Sequence, residues 1–231
     1  MFSASGGLVY HLRAWRGRRG LWAPFHAEVR RWLADWQPGV GHLVLIGPSG
    51  GYALARPFLA RFQRVTVLEP DVLARRILAV RFAGQRFDWR DGLGLATPGG
   101  LARLAADHAD AAFLFCNLLG QQPEGAAAGF SRRAWLEQLE PALAGRAWAS
   151  WHDLASTDRA PDRPAPLALD RAEDLDRLLN RFWQGGELAI VDHDCAGLAP
   201  ALPRQYALWT LRPGRHHLVE WLASPAAAGP G

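Results

Sequence analysis

Apolar positions along the chain follow two periods, and where one gives way to the other marks the expected elements. Between His42 and Asp71 an unbroken apolar run, Leu43 to Ile46, leads into glycines at 47, 50 and 51. Leu54, Phe58, Leu59 and Phe62 then recur at helical spacing, and Val65, Val67 and Leu68 make a second short run. Two buried strands joined by a helix that begins near Tyr52 form a parallel β-α-β unit. Its second strand ends on Glu69, so a glycine turn and a carboxylate share one sheet edge.

The same reading extends in both directions. Phe25, Val29, Trp32, Leu33 and Trp36 describe an amphipathic helix that begins after Pro24. A helix from Asp71 to Phe82 precedes a third strand, Arg86 to Trp89, and a short helix around Leu101 precedes a fourth, Ala111 to Phe115. A helix from Phe130 to Leu143, capped by Ser131, leads to a fifth strand, Arg146 to Trp151, which ends in His152 and Asp153. Ser156 to Pro166 reads as an exposed loop, Arg171 to Trp183 as helix, and Glu187 to Val191 as a possible strand. Tyr206 to Leu211 and His217 to Leu222 bracket Pro213-Gly214 as a hairpin. Met1 to Gly20 lacks apolar periodicity and reads as a solvated, Arg-rich lead-in. The expected division is a helical cover over residues 1–39, one domain over 40–224, and a small, Pro/Gly-rich tail over 225–231.

Glycines allow a sharp turn and a close backbone approach, a helix start offers unpaired N–H groups, and a carboxylate across the crevice accepts from ribose hydroxyls. The unit therefore resembles the cofactor-binding half of class I S-adenosylmethionine-dependent methyltransferases. Gly47, Ser49 and Gly51 fall on the family's Gly-x-Gly-x-Gly positions, with serine in the middle and Gly50 between. Leu45 replaces the acidic residue usual two before the first glycine. The resemblance implies a three-layer, Rossmann-like α/β fold with a mostly parallel sheet of seven strands that ends in an antiparallel hairpin. It implies S-adenosylmethionine held by Gly47, Ser49, Gly50, Gly51 and Glu69, with Asp91 (or Asp88) at the adenine and Asn117 after the fourth strand. In such methyltransferases the segment before the first strand often covers the active site.

Methyl transfer from a sulfonium needs an aligned acceptor and the removal of one proton. His152 and His193 are the candidate bases, with Asp153 or Asp192 to orient them. A metal site from His152, Asp153, Asp192, His193 and Asp194 would need two distant segments to meet, because adjacent side chains on extended backbone point oppositely; no metal is assigned. Gly47 to Gly51 also satisfies G-x-S-x-G, with Ser49 as a hydrolase nucleophile, but no oxyanion-forming loop precedes it. A silent methyltransferase-like domain acting as a binding or scaffolding module is the main alternative, with tryptophans as interface anchors.

Composition narrows these readings. None of the 26 strongly basic residues is lysine, which removes Schiff-base chemistry, pyridoxal phosphate attachment and the Walker lysine. The net charge of +4 permits nucleic acid without supporting it, and the Asn-Pro-Pro-aromatic signature of amino-group methylation is absent after the fourth strand. A small-molecule acceptor is therefore expected. Two cysteines, Cys116 and Cys195, offer no disulfide framework, and no run of roughly 20 apolar residues spans a bilayer. A soluble, cytoplasmic protein is the expectation.

Overall fold

A computed structural model of the chain describes residues 7–92, 94–95, 97–119, 131–193 and 195–224. The elements run α1 (Gly7–Gly17), α2 (Ala23–Asp35), β1 (His42–Ile46), α3 (Arg56–Leu59), β2 (Arg64–Leu68), α4 (Val72–Arg81), β3 (Phe87–Arg90), α5 (Gly100–Asp107) and β4 (Ala111–Cys116). They continue as α6 (Arg132–Glu137), α7 (Leu139–Ala142), β5 (Trp148–Thr157), β6 (Leu167–Leu169), α8 (Leu175–Phe182), β7 (Val191–Asp192), β8 (Arg204–Arg212) and β9 (Arg215–Ala223). The tail at 225–231 and the connection at 125–129 fall outside the described residues.

One sheet joins the strands in the order β3-β2-β1-β4-β5-β9-β8-β6, with β7 against β5. The first five are parallel, and β9 and β8 return antiparallel. This is a Rossmann-like α/β sheet with the expected C-terminal hairpin. Among the described residues it has nine strands and not seven: β6 and β7 are short additions at the C-terminal half.

β1 and β4 are buried along their whole length, as continuous apolar runs in the middle of a parallel sheet must be. Alternate residues feed opposite layers: Leu43 and Leu45 join a core with α2, α3 and α4, whereas Val44 and Ile46 join one with α5, α6 and α7. Every tryptophan except Trp15 and Trp89 is buried, so these rings are core and not interface anchors.

Four local expectations change. No helix begins at Tyr52; α3 covers only Arg56–Leu59. Pro57 explains this, since its ring blocks a helix running through it from the preceding turn. Pro141 acts similarly on the predicted 130–143 helix, which breaks at Gln138, three residues before the proline. The lead-in is helical: α1 buries His11 and Ala14, and Gly7 N–H donates to Asp71 Oδ2 at 3.0 Å. Finally, β5 does not end at Trp151. β9 pairs along it from Ala149 to Thr157, which carries His152 and Asp153 into the middle of a strand.

Candidate active site

The turn after β1 places three residues of five in the left-handed region: Gly47 (φ 66°), Ser49 (φ 51°) and Gly51 (φ 66°). Serine thus keeps the backbone conformation that glycine would adopt at the middle position, at a cost of roughly 1 kcal/mol. Gly51 has a different reason. A Cβ there would lie 2.3 Å from Leu78 Cδ1, so this glycine lets the turn seat on α4. Gly50 is likewise packed, with a Cβ 2.8 Å from Ile77 Cγ2.

Glu69, at the end of β2, is buried and ties this turn to the next one. Its Oε2 accepts from Ser49 N–H at 2.8 Å and its Oε1 from Asp71 N–H at 3.0 Å. Burial raises the Glu69 carboxyl above its ordinary range, and the two amides offset part of that rise. Arg75 spans the carbonyls of Glu69 and Arg90, which fixes the ends of β2 and β3 together. Asp91 follows β3 and is exposed, one strand over from Glu69. Asp88 lies within β3 and faces Arg64 and Arg90.

A cleft of about 40 Å³ lies over the turn, lined by Tyr10, Phe25, His26, Gly47, Ser49, Tyr52, Asn117, Trp151 and Trp209 among others. Its roof comes from α1: His11 Nδ1 is 2.9 Å from the Tyr52 hydroxyl, and Tyr10 packs edge-on to Tyr52. Burial, with Tyr52 and Asp153 nearby, pushes the Tyr10 hydroxyl above the usual phenol range. His26 is pushed down to about 3 by burial and by Arg30 and Arg81, so it is neutral. Cys116 is buried, and its thiol is raised well above the usual range, which leaves it unreactive. A larger hollow of about 360 Å³ opens elsewhere, between α6–α7 and residues 195–198. It contains none of the groups around the glycine turn.

At the far wall of the cleft, Asn117 holds a left-handed backbone (φ 54°) and clamps β4 to β5. Its Oδ1 accepts from Asp153 N–H at 3.0 Å, and its Nδ2 reaches Asp153 Oδ2 at 3.5 Å. Asp153 Oδ2 also accepts from His217 Nδ1 at 3.1 Å. Burial alone would raise the Asp153 carboxyl; the His217 bond, the charges of His217 and His193 and the Asn117 bond outweigh it and hold the carboxyl low. The rings of His193 and His217 lie nearly parallel, 6.3 Å apart.

The structure therefore puts Gly47, Ser49 and Asn117 in the lining of one cleft, Glu69 behind it through its bond to Ser49, Gly51 against α4, and His193 beside Asp153, next to Asn117. His152 goes elsewhere. It is fully buried on the opposite face of β5, with Nδ1 3.0 Å from Ser150 Oγ and Nε2 3.3 Å from Glu220 Oε2. Among the described residues no histidine hydrogen-bonds Ser49, so a hydrolase elbow has no visible base. Sequence reasoning missed Tyr10 and His217. His217 reaches Asp153 because it stands two residues from Val219, the β9 partner of Asp153, and so shares its face of the sheet. No residue pattern announces the register of β9 against β5.

No protein-family model and no curated protein sequence matches the chain. Among solved structures it is similar to the DhpI-SAM-HEP complex, with 14% identity over 94% of each chain and a TM-score of 0.45. It is similar also to the N-methyltransferase NodS from Bradyrhizobium japonicum in complex with S-adenosyl-L-homocysteine, 12% identical over 88% of this chain and 87% of that one, TM-score 0.42. A third is the glycopeptide N-methyltransferase MtfA complexed with S-adenosylmethionine, 13% identical over 87% and 93%, TM-score 0.39. Each is a likeness of overall outline at low identity.

Proposed function

We propose that the chain is an S-adenosylmethionine-dependent methyltransferase acting on a small-molecule acceptor. The observation that carries this reading is Glu69, buried at the end of β2 and bonded to the amide of Ser49 in the left-handed turn after β1. A turn of three left-handed residues facing a carboxylate at the carboxyl edge of a parallel sheet suits an adenosine-bearing ligand. Gly47, Ser49 and Gly51 would hold it by their backbone, Glu69 by accepting from ribose hydroxyls, and Asp91 at the base. Bound there, S-adenosylmethionine supplies an activated methyl group. The chain's own part is to align the acceptor at Asn117 and to exclude water with α1, Trp151 and Trp209.

The cleft of about 40 Å³ is far below the roughly 300 Å³ at which ligand pockets begin. Tyr10 and Tyr52 fill the space, so α1 has to withdraw before a cofactor enters. A closed cleft and a carboxylate engaged by backbone amides also suit a silent module, and binding separates the two readings. Calorimetric titration with S-adenosylmethionine and S-adenosylhomocysteine is expected to show saturable binding. Glu69→Ala should weaken it by about 1 to 3 kcal/mol, and Tyr10→Ala should strengthen it by removing the plug. Circular dichroism checks that both variants stay folded. No binding by wild type or by Tyr10→Ala would overturn the enzyme reading.

A further inference from the structure

Beyond the end of β4, the side of β5 that β4 leaves uncovered is taken by β7, which pairs Asp192 with Ala155 and Val191 with Ser156. His193 follows directly, its N–H bonded to Leu154 O at 2.9 Å. On the other side, His217 of β9, two residues from the Val219 that pairs with Asp153, lies on the same face and bonds Asp153. Two segments that sequence alone could not join therefore meet. One ligand-type atom from each of Asp153, His193 and His217 lies within 4.8 Å of the other two.

Two features point to a cation. Asp153 is 4% exposed, yet its Oδ1 meets no hydrogen-bond donor among the described residues, and an ionised oxygen is costly to bury without a donor or a cation. His217 Nε2 is likewise buried without a hydrogen-bond partner. We infer that Asp153, His193 and His217 bind one divalent transition-metal ion of the zinc class. Two imidazoles and a carboxylate suit that class, whereas magnesium and calcium take oxygen ligands. Ligand atoms around a tetrahedral zinc stand roughly 3.3 Å apart, so closing the site takes small movements, chiefly of His193 after its two-residue strand. Three protein ligands leave a fourth position open. Asn117 joins the cluster to the cleft, so the ion would stand at the cleft wall whether or not the cleft holds a cofactor.

The test uses the full chain, stripped by chelator and dialysed, and titrated with Zn²⁺ by calorimetry and with Co²⁺ by visible absorption. One equivalent should bind, with the strong visible bands of low-coordinate cobalt. His193→Gln, at a half-exposed position, should weaken Zn²⁺ binding at least about 10-fold. His217→Asn should weaken it as much, and His216→Gln, which pairs with Thr210 outside the cluster, should leave it unchanged. If His217→Asn does not fold, the cobalt spectrum of wild type and the His193→Gln titration decide. Absence of one-equivalent binding, or wild-type affinity in His193→Gln, overturns the assignment. Neither result bears on cofactor binding, which is read separately.

Discussion

Two neighbouring residues of β5, His152 and Asp153, face opposite sides of the sheet and live in contrasting surroundings. On the His152 side every charged group has a charged partner. Glu220, directly across the strand pair, stands 3.3 Å from His152 and 3.0 Å from Arg204, and Arg204 also donates to the carbonyls of Leu198 and Ala199. All three side chains are at most 1% exposed. On the Asp153 side, Asp153 Oδ1 and His217 Nε2 are in no hydrogen bond or ion pair among the described residues, whereas the matching atoms of the other face, Glu220 Oε2 and His152 Nε2, have each other at 3.3 Å; the Asp153 group also adjoins a cleft. A network whose charges cancel inside the sheet holds the hairpin to β5. A network with capacity to spare is where a ligand can add something.

The sharpest way to break that contrast is Glu220→Gln. It keeps the shape but leaves the Arg204 guanidinium buried without a counter-charge, so unfolding in urea should show a loss of about 3 kcal/mol or more. A loss below about 1 kcal/mol would mean that Arg204 is solvated after all. The corresponding change on the other face, Asp153→Asn, should cost less, because it relieves a carboxylate oxygen that has no donor.

Acid provides the next test. Burial would raise the Glu220 carboxyl, but His152, Arg204 and Tyr206 outweigh it and hold it below the usual range, and Asp153 is held low as well. A depressed carboxylate contributes stability that is present above its unfolded value, near 4, and is lost as pH falls through the folded one. His26 adds to the same trend earlier. It is neutral in the fold down to about 3, so the unfolded chain takes up a proton first as pH drops below about 6.5. Thermal melts should therefore shift downward in two stages, from about pH 6.5 and again below about pH 4.5. His26→Gln should flatten the first stage and Glu220→Gln the second. Melts independent of pH between 7 and 4 would contradict the buried, neutral His26.

Much of this contrast was invisible in the sequence, and the reasons are physical. The parallel half was legible because fully buried strands are continuous apolar runs and their helices show their own period: β1, β2, β4 and α4 fall where Leu43–Ile46, Val65–Leu68, Ala111–Phe115 and the expected Asp71–Phe82 helix put them. Glu69 and the turn were legible because local chain order brings them together. The length of β5 was not, since it is set by pairing with β9, about 70 residues away in sequence. With β5 cut short, His152 looked like a strand-end base when it is a buried partner of Glu220. The register that sets His217 beside Asp153 leaves no mark on composition. Pro57 is different: its position forbade a helix from Tyr52, and the apolar spacing of Leu54 to Phe62 hid a signal that was present.

The smallest expected effect sharpens the contrast most. His193 is half-exposed, and its backbone N–H bonds Leu154 O, a bond that any residue but proline retains. His193→Gln should therefore change unfolding stability by about 0.5 kcal/mol or less. The ring stands beside Asp153 and His217, each of which has an atom left over. Measured beside Glu220→Gln, it separates what β5 carries on its two faces. One side chain should be costly to lose from the fold and irrelevant to any ion, and the other nearly neutral for the fold and felt through what it binds. If His193→Gln destabilises the chain by more than about 2 kcal/mol, the cluster belongs to the architecture, and the two faces of β5 differ in degree only.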